Sequence, residues 1–361
     1  MIYLDHSATT PLSDAAKKAI IEHLDDFGNP SSSYELGRKS RLLIEDAREK
    51  IAKCINADPN EIYFVSGGSE ANGWATSMYT TISSCFEHHS LHALCNNIPV
   101  NKDGTVDPQR FSCIDHKLAR LFEMASCMTV NNELGTIQPI KEIAKVVHRK
   151  NMLFHTDAIQ ATGHIPIDVK DIDCDMLSAS GHKFGAPKGI GFLYIKNGIP
   201  VSKLIFGGRQ ERGARGGTEN TLGIISMAAA LEDAIEHMDE RNKHIGFLRD
   251  KILNKLLKIE GAQLNGSHIN RVASNINIRF DGVPGRTLVT LCDLYGVCIS
   301  SGSACNEGVA TPSHVLKAIG LSDEEALSSI RITIGHENTE EEIDEAAEII
   351  TALIERIRSN D

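Results

Sequence analysis

Ser180-Gly181-His182-Lys183-Phe184 is the stretch from which the fold and chemistry of this chain are most readily inferred. It follows a strand candidate, Asp175 to Ser178, so Lys183 is expected just beyond the end of a strand. Lysine is rarely buried without a partner, yet this one follows apolar and small residues rather than a run of charges. Two other runs accompany it, Asp157-Ala158-Ile159-Gln160 upstream and Ser301-Gly302-Ser303-Ala304-Cys305 downstream.

The composition is that of an ordinary globular protein. At 361 residues, with 41% hydrophobic and 24% charged residues, the chain is long enough for two domains and a large core. Its net charge of −11 argues against a nucleic-acid or anionic-membrane partner, which would require basic patches. No apolar run approaches the roughly 20 residues that span a bilayer. The segment Met1 to Asp5 predicts a strand rather than a signal peptide.

The nine cysteines are scattered singly and form no Cys-x-x-Cys pair. A disulfide framework or a zinc site is therefore not expected. Most of them, such as Cys54 and Cys174, have apolar neighbours and are predicted to be small core residues. This pattern is typical of a reducing compartment, and we expect a cytoplasmic protein.

Helix and strand signals alternate through most of the sequence. A helical pattern that includes Leu43 and Cys54 ends at Asp58-Pro59-Asn60, and a short strand from Glu61 to Val65 follows. This alternation predicts an α/β fold with a mostly parallel sheet covered on both faces. Later strands are predicted at Met152 to Thr156, Asp175 to Ser178 and Ile190 to Ile195.

The pattern changes after about residue 250. The segment Ala273 to Phe280 alternates strictly between apolar and polar residues, as expected for a half-buried strand. The last helix is predicted to begin at Thr339, where Glu342 completes a capping box. We predict a large domain over residues 13–250 and a smaller α+β domain formed by residues 1–12 and 251–361, which carries the cysteine run.

Ser66-Gly67-Gly68-Ser69 lies between a predicted strand and a predicted helix. The free backbone N–H groups and the helix dipole at such a turn suit a phosphate. Gly68 lets the backbone approach closely, and Ser69 adds a hydroxyl donor. Taken alone, the pattern more often marks an ordinary turn before a helix.

Asp157 and Lys183 follow two strands of the predicted sheet, whose carboxyl edge is where ligands bind in parallel sheets. Asp157 can bond the ring nitrogen of a pyridine cofactor, or it can be a helix N-cap. Gln160 can donate to the phenolate oxygen of the same ring. A buried Lys183, with Ser180 and His182 beside it, can hold an aldehyde cofactor as a Schiff base, although a surface-loop lysine is the alternative. Together these residues indicate pyridoxal phosphate (PLP) chemistry that ends at a thiol.

The segment Glu87 to His92 is rich in histidine. His88 and His92 are four residues apart and can chelate a metal on one helix face. No second carboxylate and no Cys/His pair lie nearby in the sequence, so no metal is expected. The flat ring of His88 can instead stack on a cofactor ring and move protons. We interpret His89 and His92 as solvated surface residues.

Two residues near the C-terminus are candidates for contact with a substrate. Cys305 lies in a run of small residues after a strand, an exposed setting in which a thiolate can form and reach a ligand. Arg331 is a lone arginine in an apolar strand, where its guanidinium can clamp a substrate carboxylate. A buried ion pair with a core acid is the alternative for Arg331.

With these motifs assembled, the chain resembles the cysteine desulfurases of the NifS/IscS type, within the class V aminotransferase group of fold-type I PLP-dependent enzymes. The resemblance runs nearly end to end. It implies a large domain with a mostly parallel, seven-stranded type of sheet and a smaller α+β domain. The motifs that carry it are Tyr3 to Pro11, Phe27 to Ser32, Ser66 to Glu70, Val130 to Gly135, Asp157 to Gln160, Ser180 to Lys183, Glu211 to Thr218 and Ser301 to Cys305.

The resemblance also implies a role for each matching residue. Lys183 would carry the cofactor, Asp157 would pair with the pyridine nitrogen, and Gln160 would face the phenolate oxygen. His88 would stack on the ring and move protons. Cys305 would take the sulfur of L-cysteine as a persulfide, leaving alanine. The phosphate would be held by Gly68, Ser69, Ser180 and His182, with Thr218 from the other subunit of a homodimer; the substrate carboxylate would be held by Asn132 and Arg331.

The chain departs from the family pattern at several places. His6 stands where the family usually has Asn or Tyr, and Ser69 replaces the usual Thr. The run Gly335-His336-Glu337-Asn338 replaces a Gly-Arg-Phe-Thr-like run. The region from Gly73 to Met128 is shorter than expected. We therefore expect strand and helix material to be missing between Asn72 and His88 and between Cys95 and Asp103.

The predicted function is a homodimeric, PLP-dependent cysteine desulfurase that passes sulfur to an acceptor protein, such as an iron–sulfur scaffold or a thiolation protein. A selenocysteine lyase and a class V aminotransferase are the enzyme alternatives. A degenerate sulfur-relay or assembly platform is the non-enzyme alternative, motivated by the shortened region.

Overall fold

The computed structural model describes residues 1–92, 96–113, 122–301, 305–306 and 309–359. Its centre is a seven-stranded sheet in the order β2-β8-β7-β6-β5-β3-β4. Five adjacent strands pair in parallel, in the order β7-β6-β5-β3-β4, whereas β8 is antiparallel to both of its neighbours, β2 and β7. The strands are β2 (Ile62–Val65), β3 (Thr81–Ser84), β4 (Asn96–Ile98), β5 (Met124–Ser126), β6 (Leu153–Asp157), β7 (Met176–Ser180) and β8 (Gly191–Ile195).

Helices cover this sheet, as the alternating pattern predicted. The strands β2, β3, β7 and β8 are buried along their whole length, because both faces of the sheet are covered. Helices α1 and α2 pack against α8. The helices of this part are α1 (Asp14–Glu22), α2 (Glu35–Cys54), α3 (Gly68–Met78), α4 (His89–His92), α5 (Gln109–Ser112), α6 (Ile140–His148), α7 (Val169–Ile172) and α8 (Thr221–Glu236).

The second part of the chain is built on a three-stranded antiparallel sheet in the order β14-β10-β9. The N-terminal strand β1 (Ile2–Tyr3) pairs in parallel with β11 (Val297–Cys298). The remaining strands are β9 (Ala262–Leu264), β10 (Asn275–Phe280), β12 (Cys305–Asn306), β13 (Val309–Ala310) and β14 (Ser329–Thr333). The remaining helices are α9 (Met238–Leu256), α10 (Gly285–Leu294), α11 (His314–Ala318), α12 (Asp323–Leu327) and α13 (Glu340–Ser359).

The first residues of the chain pack with its last third. Ile2 and Leu4 belong to one apolar cluster with residues of α9, β10 and α13. Helix α9 runs without a break across the predicted domain boundary between residues 250 and 251. The division into residues 13–250 on one side and 1–12 with 251–361 on the other remains a prediction.

Two local predictions can be compared with the structure. The capping box of the last helix is present: the Thr339 hydroxyl oxygen accepts from the Glu342 N–H, and the Glu342 carboxylate accepts from the Thr339 N–H. The prediction that β10 is half-buried was wrong, since the asparagines of its polar face are buried as well. Asn275 and Asn277 are each 1% exposed, and both donate to the Glu133 carbonyl.

The shortened region still contributes two strands to the sheet. β3 lies between Asn72 and His88, and β4 lies between Cys95 and Asp103. The described helices that lie wholly within this region, α4 and α5, have four residues each. That strand and helix material is missing relative to the family remains a prediction. Within the described ranges, no helix is long and apolar enough to cross a bilayer.

Candidate active site

A cavity of about 360 Å³ lies at the carboxyl ends of β6 and β7. It brings together residues that come from five separate motifs of the sequence. Of the residues predicted for the site, it is lined by Gly68, Ser69, His88, Asn132, Asp157, Gln160, Ser180, His182, Lys183 and Arg331. Ser7, Ala8, Met128 and Ile159 complete the lining.

Lys183 is the last residue of a 3₁₀ turn, Gly181–Lys183, that directly follows β7. Its ammonium donates to two backbone carbonyls, Ser7 O at 2.6 Å and Ala8 O at 2.8 Å. Burial lowers the pKa of Lys183 to about 8, with a further lowering from the positive charge of Arg331. A substantial fraction of this amine is therefore neutral near physiological pH and able to act as a nucleophile.

Asp157 is the last residue of β6 and is 3% exposed. Its Oδ1 accepts from the Ile159 N–H at 2.9 Å, and its Oδ2 accepts from Asn72 Nδ2 at 2.6 Å. Burial raises the pKa of the Asp157 carboxyl, whereas these hydrogen bonds and the charges of His88 and Lys183 oppose the rise. Residues 158–163 form turns rather than a helix, so Asp157 is not a helix N-cap.

Gly68 and Ser69 lie in the first turn of α3, as the phosphate motif requires. The preceding residue, Gly67, provides no side-chain cap, so the first N–H groups of this helix are not capped by a side chain. A Cβ added at Gly68 would lie 2.1 Å from Ile159 Cδ1, so only glycine leaves room for the neighbouring wall of the cavity. A shallow depression lined by Ser69, Ser180 and His182 continues from this end. Burial lowers the pKa of His182 to about 4, so its imidazole is neutral at physiological pH.

His88 lies just before α4 and lines the same cavity. Its Nδ1 is 2.9 Å from Ser90 Oγ and 3.2 Å from the Ser90 N–H nitrogen. Desolvation lowers the pKa of His88, and the Asp157 charge partly offsets this effect. The side chain of His89 is exposed, so its interpretation as a surface residue is confirmed, and its ring also packs 4.6 Å from that of His314. The side chain of His92 lies outside the described residues.

Arg331, in β14, shows the ion pair that was the alternative to a substrate clamp. Its Nη2 donates to Asp5 Oδ1 at 2.7 Å, and its Nη1 donates to Asn132 O at 3.0 Å. Its Nε is buried and has no hydrogen-bond partner among the described residues. The two bonds use one hydrogen on each Nη atom, so each Nη retains a second hydrogen in a guanidinium that lines the cavity.

Thr218 is the predicted site residue that the structure places outside this cavity: it is exposed and lines a separate cavity with Ser66 and Gly189. The backbone of Cys305 pairs with Ala310 in the β12–β13 pair, and its side chain lies outside the described residues. The other predicted site residues all line the cavity of a single chain.

The structure adds polar residues that the motifs did not single out. Asn72 and Ser90 link Asp157 to His88, and Glu87 is a fully buried carboxyl beside the site. Burial raises the pKa of Glu87 to about 8. Helical spacing offered one signal: Asn72 lies four residues after Gly68, on the same side of α3. Among the described residues, no group of three or more His, Cys, Asp or Glu side chains is arranged to hold a metal ion.

Comparison with known proteins places the chain in a family. Residues 2–346 match the family model described as aminotransferase class-V. The chain is 40% identical over 380 residues to cysteine desulfurase IscS of Methanosarcina thermophila, covering 99% of this chain and 93% of that protein. A solved structure of a NifS-like protein has a TM-score of 0.90 and 33% identity, covering 98% of this chain and 99% of that one. The structure described as SspA in complex with cysteine has a TM-score of 0.80 and 32% identity, covering 94% of this chain and 100% of that one.

These matches span the whole length over which the sequence motifs were found, so the resemblance to the NifS/IscS type is confirmed. The seven-stranded, mostly parallel sheet agrees with the predicted fold-type I architecture. The chain belongs to the class V aminotransferase family, among relatives of the NifS/IscS type.

Proposed function

We propose that this chain is a PLP-dependent cysteine desulfurase, which converts L-cysteine to L-alanine and holds the sulfur as a persulfide on Cys305. The observation that carries the proposal is that a depressed-pKa amine, Lys183, and a buried carboxylate, Asp157, follow neighbouring strands and line one cavity. The relative named cysteine desulfurase IscS and the related structure described as a complex with cysteine support it.

The cavity meets the three chemical requirements of PLP. The aldehyde needs a neutral amine, which Lys183 supplies because its pKa is about 8. The ring nitrogen needs an acceptor, and an ionised carboxylate offers about four lone-pair positions, of which Asn72 and Ile159 use two at Asp157. The phosphate needs donors, which the N-terminus of α3 provides at Gly68.

Each cavity residue has a role in this proposal. When PLP is bound, Lys183 would bond covalently to its aldehyde, and Asp157 would accept from its ring nitrogen. Gln160, whose Nε2 donates one hydrogen to Ser7 O at 3.0 Å, has a second hydrogen for the phenolate oxygen. His88 stacks on the ring and moves protons. The phosphate is bound by Gly68, Ser69, Ser180 and His182, with Thr218 supplied by a second copy of the chain.

The reaction uses a second set of residues. When bound, PLP supplies an electron sink for the bonds at the carbon that bears the substrate amino group. Asn132 and Arg331, through the second hydrogens of its Nη atoms, bind the substrate carboxylate. This contact fixes the orientation of the substrate, so that its sulfur can be presented to the Cys305 thiol.

Cys305 receives the sulfur. Its thiolate forms an S–S bond with the sulfur of L-cysteine while the substrate C–S bond breaks. The electron pair of the C–S bond stays with carbon, which takes up a proton and leaves as alanine. The persulfide then carries a sulfur that an acceptor thiol can remove. We propose an iron–sulfur scaffold or a thiolation protein as the acceptor.

A homodimer is part of the proposal. Thr218 is exposed and lies outside the cavity of its own chain, so the phosphate site gains it only from another subunit. Large apolar side chains are also exposed in α1, α2 and the segment between them, and such surfaces mark protein–protein contacts. They are Ile21 at 69%, Leu24 at 58%, Phe27 at 80% and Leu42 at 70% exposure.

We also propose a cytoplasmic location. All seven cysteines whose side chains are described are free thiols, as expected in a reducing compartment.

Spectroscopy with product analysis tests the proposal. The full-length protein, purified and supplied with PLP, is expected to show a visible absorption band that changes when L-cysteine is added. Equal amounts of alanine and sulfide should form in the presence of a thiol reductant, and Lys183→Ala should show neither the band nor the products. Turnover of selenocysteine, and of amino-acid and keto-acid pairs, separates the enzyme alternatives. A PLP-loaded protein that makes neither alanine nor sulfide would contradict the proposal.

A further inference from the structure

We propose that Asn72 and Ser90 are positioning residues, which form a hydrogen-bonded relay from Asp157 to His88 and hold His88 as the neutral tautomer with its proton on Nε2. The inference rests on the proposed function, because it takes Asp157 and His88 as the residues that contact the cofactor ring. Neither Asn72 nor Ser90 lines the cavity, so both act through these two residues.

The first half of the relay is the carboxamide of Asn72. This residue is 0% exposed, and its Nδ2 donates to Asp157 Oδ2 at 2.6 Å and to Ser90 Oγ at 2.9 Å. Both hydrogens of the amide nitrogen are thereby used. An ionised carboxylate only accepts hydrogen bonds, so Asp157 determines which end of the amide faces it. The Oδ1 of Asn72 is buried with no partner among the described residues, a cost that the bond to the charged Asp157 carboxylate offsets in part.

The second half of the relay is the hydroxyl of Ser90. Its oxygen accepts from Asn72, and its single hydrogen remains for His88 Nδ1 at 2.9 Å. The backbone N–H of Ser90 also points to this Nδ1, at 3.2 Å. A backbone N–H can only donate, so Nδ1 must be the unprotonated, accepting nitrogen. The Ser90 hydroxyl must then donate to the same atom.

Asn72 therefore donates toward both ends of the relay, to Asp157 directly and to His88 through Ser90, whose hydroxyl donates to Nδ1. The remaining proton of the neutral imidazole is on Nε2. Protonation at Nδ1 would place a new N–H against two existing donors, so the imidazolium is disfavoured. The charged or titratable groups that face His88 are Asp157, which favours the imidazolium, and His89 and Lys183, which oppose it.

This arrangement has a functional consequence. A neutral histidine with its hydrogen on Nε2 can donate a hydrogen bond to a ligand from that atom but cannot accept a proton there. The orientation of the His88 ring is connected to the charge of Asp157 through three hydrogen bonds, by way of Ser90 and Asn72. The competing, merely structural role is that Ser90 stabilises the four-residue helix α4.

Nitrogen NMR of the full-length, PLP-loaded protein with ¹⁵N-labelled histidine tests the tautomer directly. The difference between the spectra of the wild type and His88→Gln isolates the signals of His88. We expect an unprotonated Nδ1 and a protonated Nε2 at neutral pH.

The same spectra of variants test the role of Ser90. Ser90→Ala should raise the pH at which His88 becomes protonated. Ser90→Thr should return that pH to the wild-type value, and the control Ser77→Ala should leave it unchanged. Ser77 suits this purpose because its exposed hydroxyl only bonds the Trp74 carbonyl within α3.

Steady-state kinetics provides the second readout. Ser90→Ala should lower kcat by about tenfold with KM for L-cysteine within about twofold, because the relay orients the His88 N–H and does not bind the substrate. Ser90→Thr should recover most of kcat. A protonated Nδ1 in the wild type would overturn the proposal, as would a Ser90→Ala variant with unchanged His88 titration. Because the NMR result does not depend on turnover, it decides the relay even if the desulfurase activity itself is absent.

Discussion

Arg331 Nη2 lies 2.7 Å from Asp5 Oδ1, although the two residues are at opposite ends of the chain. Asp5 follows β1 and bridges to Thr333 of β14, the strand that carries Arg331. The N-terminal segment thus fixes the guanidinium at the wall of the cavity. At the same time, the carbonyls of Ser7 and Ala8 hold the Lys183 amine. One short segment therefore positions both the guanidinium proposed to bind the substrate and the amine proposed to hold the cofactor.

Arg331→Lys is expected to raise KM for L-cysteine by about tenfold or more. A lysine ammonium cannot bond Asp5, the Asn132 carbonyl and a substrate carboxylate with the fixed fork of a guanidinium. The visible band of the bound cofactor should be unchanged, because Lys183 and Asp157 are left intact. Steady-state kinetics beside the exposed control Arg149→Lys measures the effect. An unaltered KM would show that Arg331 has only its ion-pair role.

The pKa of Lys183 predicts how the apo protein takes up PLP. The neutral amine is the form that bonds to the aldehyde, and its fraction grows about tenfold per pH unit below the pKa. Because the pKa is about 8, the rate of covalent uptake should rise up to about pH 8 and then level off. Stopped-flow absorbance from pH 6 to pH 10 follows this rate, with Lys203→Ala as a control. A rate that keeps rising to pH 10, as for an ordinary exposed lysine, would refute the lowered pKa.

Periodicity and strand order were sufficient to predict much of this site. Asp157 and Lys183 could be placed at one sheet edge because each follows a buried strand of a parallel sheet. The ion pair of Arg331 could be stated only as an alternative, because its partner Asp5 is 326 residues away in the sequence. No local pattern encodes such a contact.

The polar interior was harder to predict for the same reason. Alternation in β10 indicated a solvated face, but Asn275 and Asn277 are buried because the Glu133 carbonyl, from a distant loop, accepts from both. Likewise, the bond from Asn72 to Asp157 joins residues that are 85 positions apart. Buried polar side chains depend on partners that only the tertiary structure supplies.

Cys305→Ala should abolish persulfide formation and the release of sulfide from L-cysteine while leaving the band of the bound cofactor in place. In the proposed reaction, Cys305 provides the thiolate that accepts the sulfur, whereas cofactor attachment depends on Lys183. Mass spectrometry of the intact protein after one turnover detects the added sulfur. The exposed Cys113 provides a control, since Cys113→Ala removes a thiol outside the cavity. A Cys305→Ala variant that desulfurates cysteine at the full rate would contradict the assignment.

Glu87 is a carboxyl held inside the protein next to His88. It is 0% exposed, its Oε1 accepts from the Ser84 hydroxyl and from the Met128 N–H, and its Oε2 has no partner among the described residues. Burial raises its pKa from 4.5 to about 8, which means that it is largely protonated in the folded protein at neutral pH.

The raised pKa of Glu87 makes the stability of the protein depend on pH. An unfolded glutamate ionises near pH 4.5, whereas the folded one stays neutral up to about pH 8. The stabilisation from the neutral form is therefore complete below about pH 4.5 and is lost as the pH rises to about 8.

Glu87→Gln keeps an uncharged acceptor for Ser84 and Met128 but cannot ionise. Its Tm relative to the wild type should thus increase by about 2 °C or more between pH 5 and pH 8, as calorimetry of the PLP-loaded proteins would show. Glu348→Gln, at an exposed position, should show no such trend. A Tm difference for Glu87→Gln that stays constant with pH would mean that this carboxyl ionises normally and that burial does not hold its proton.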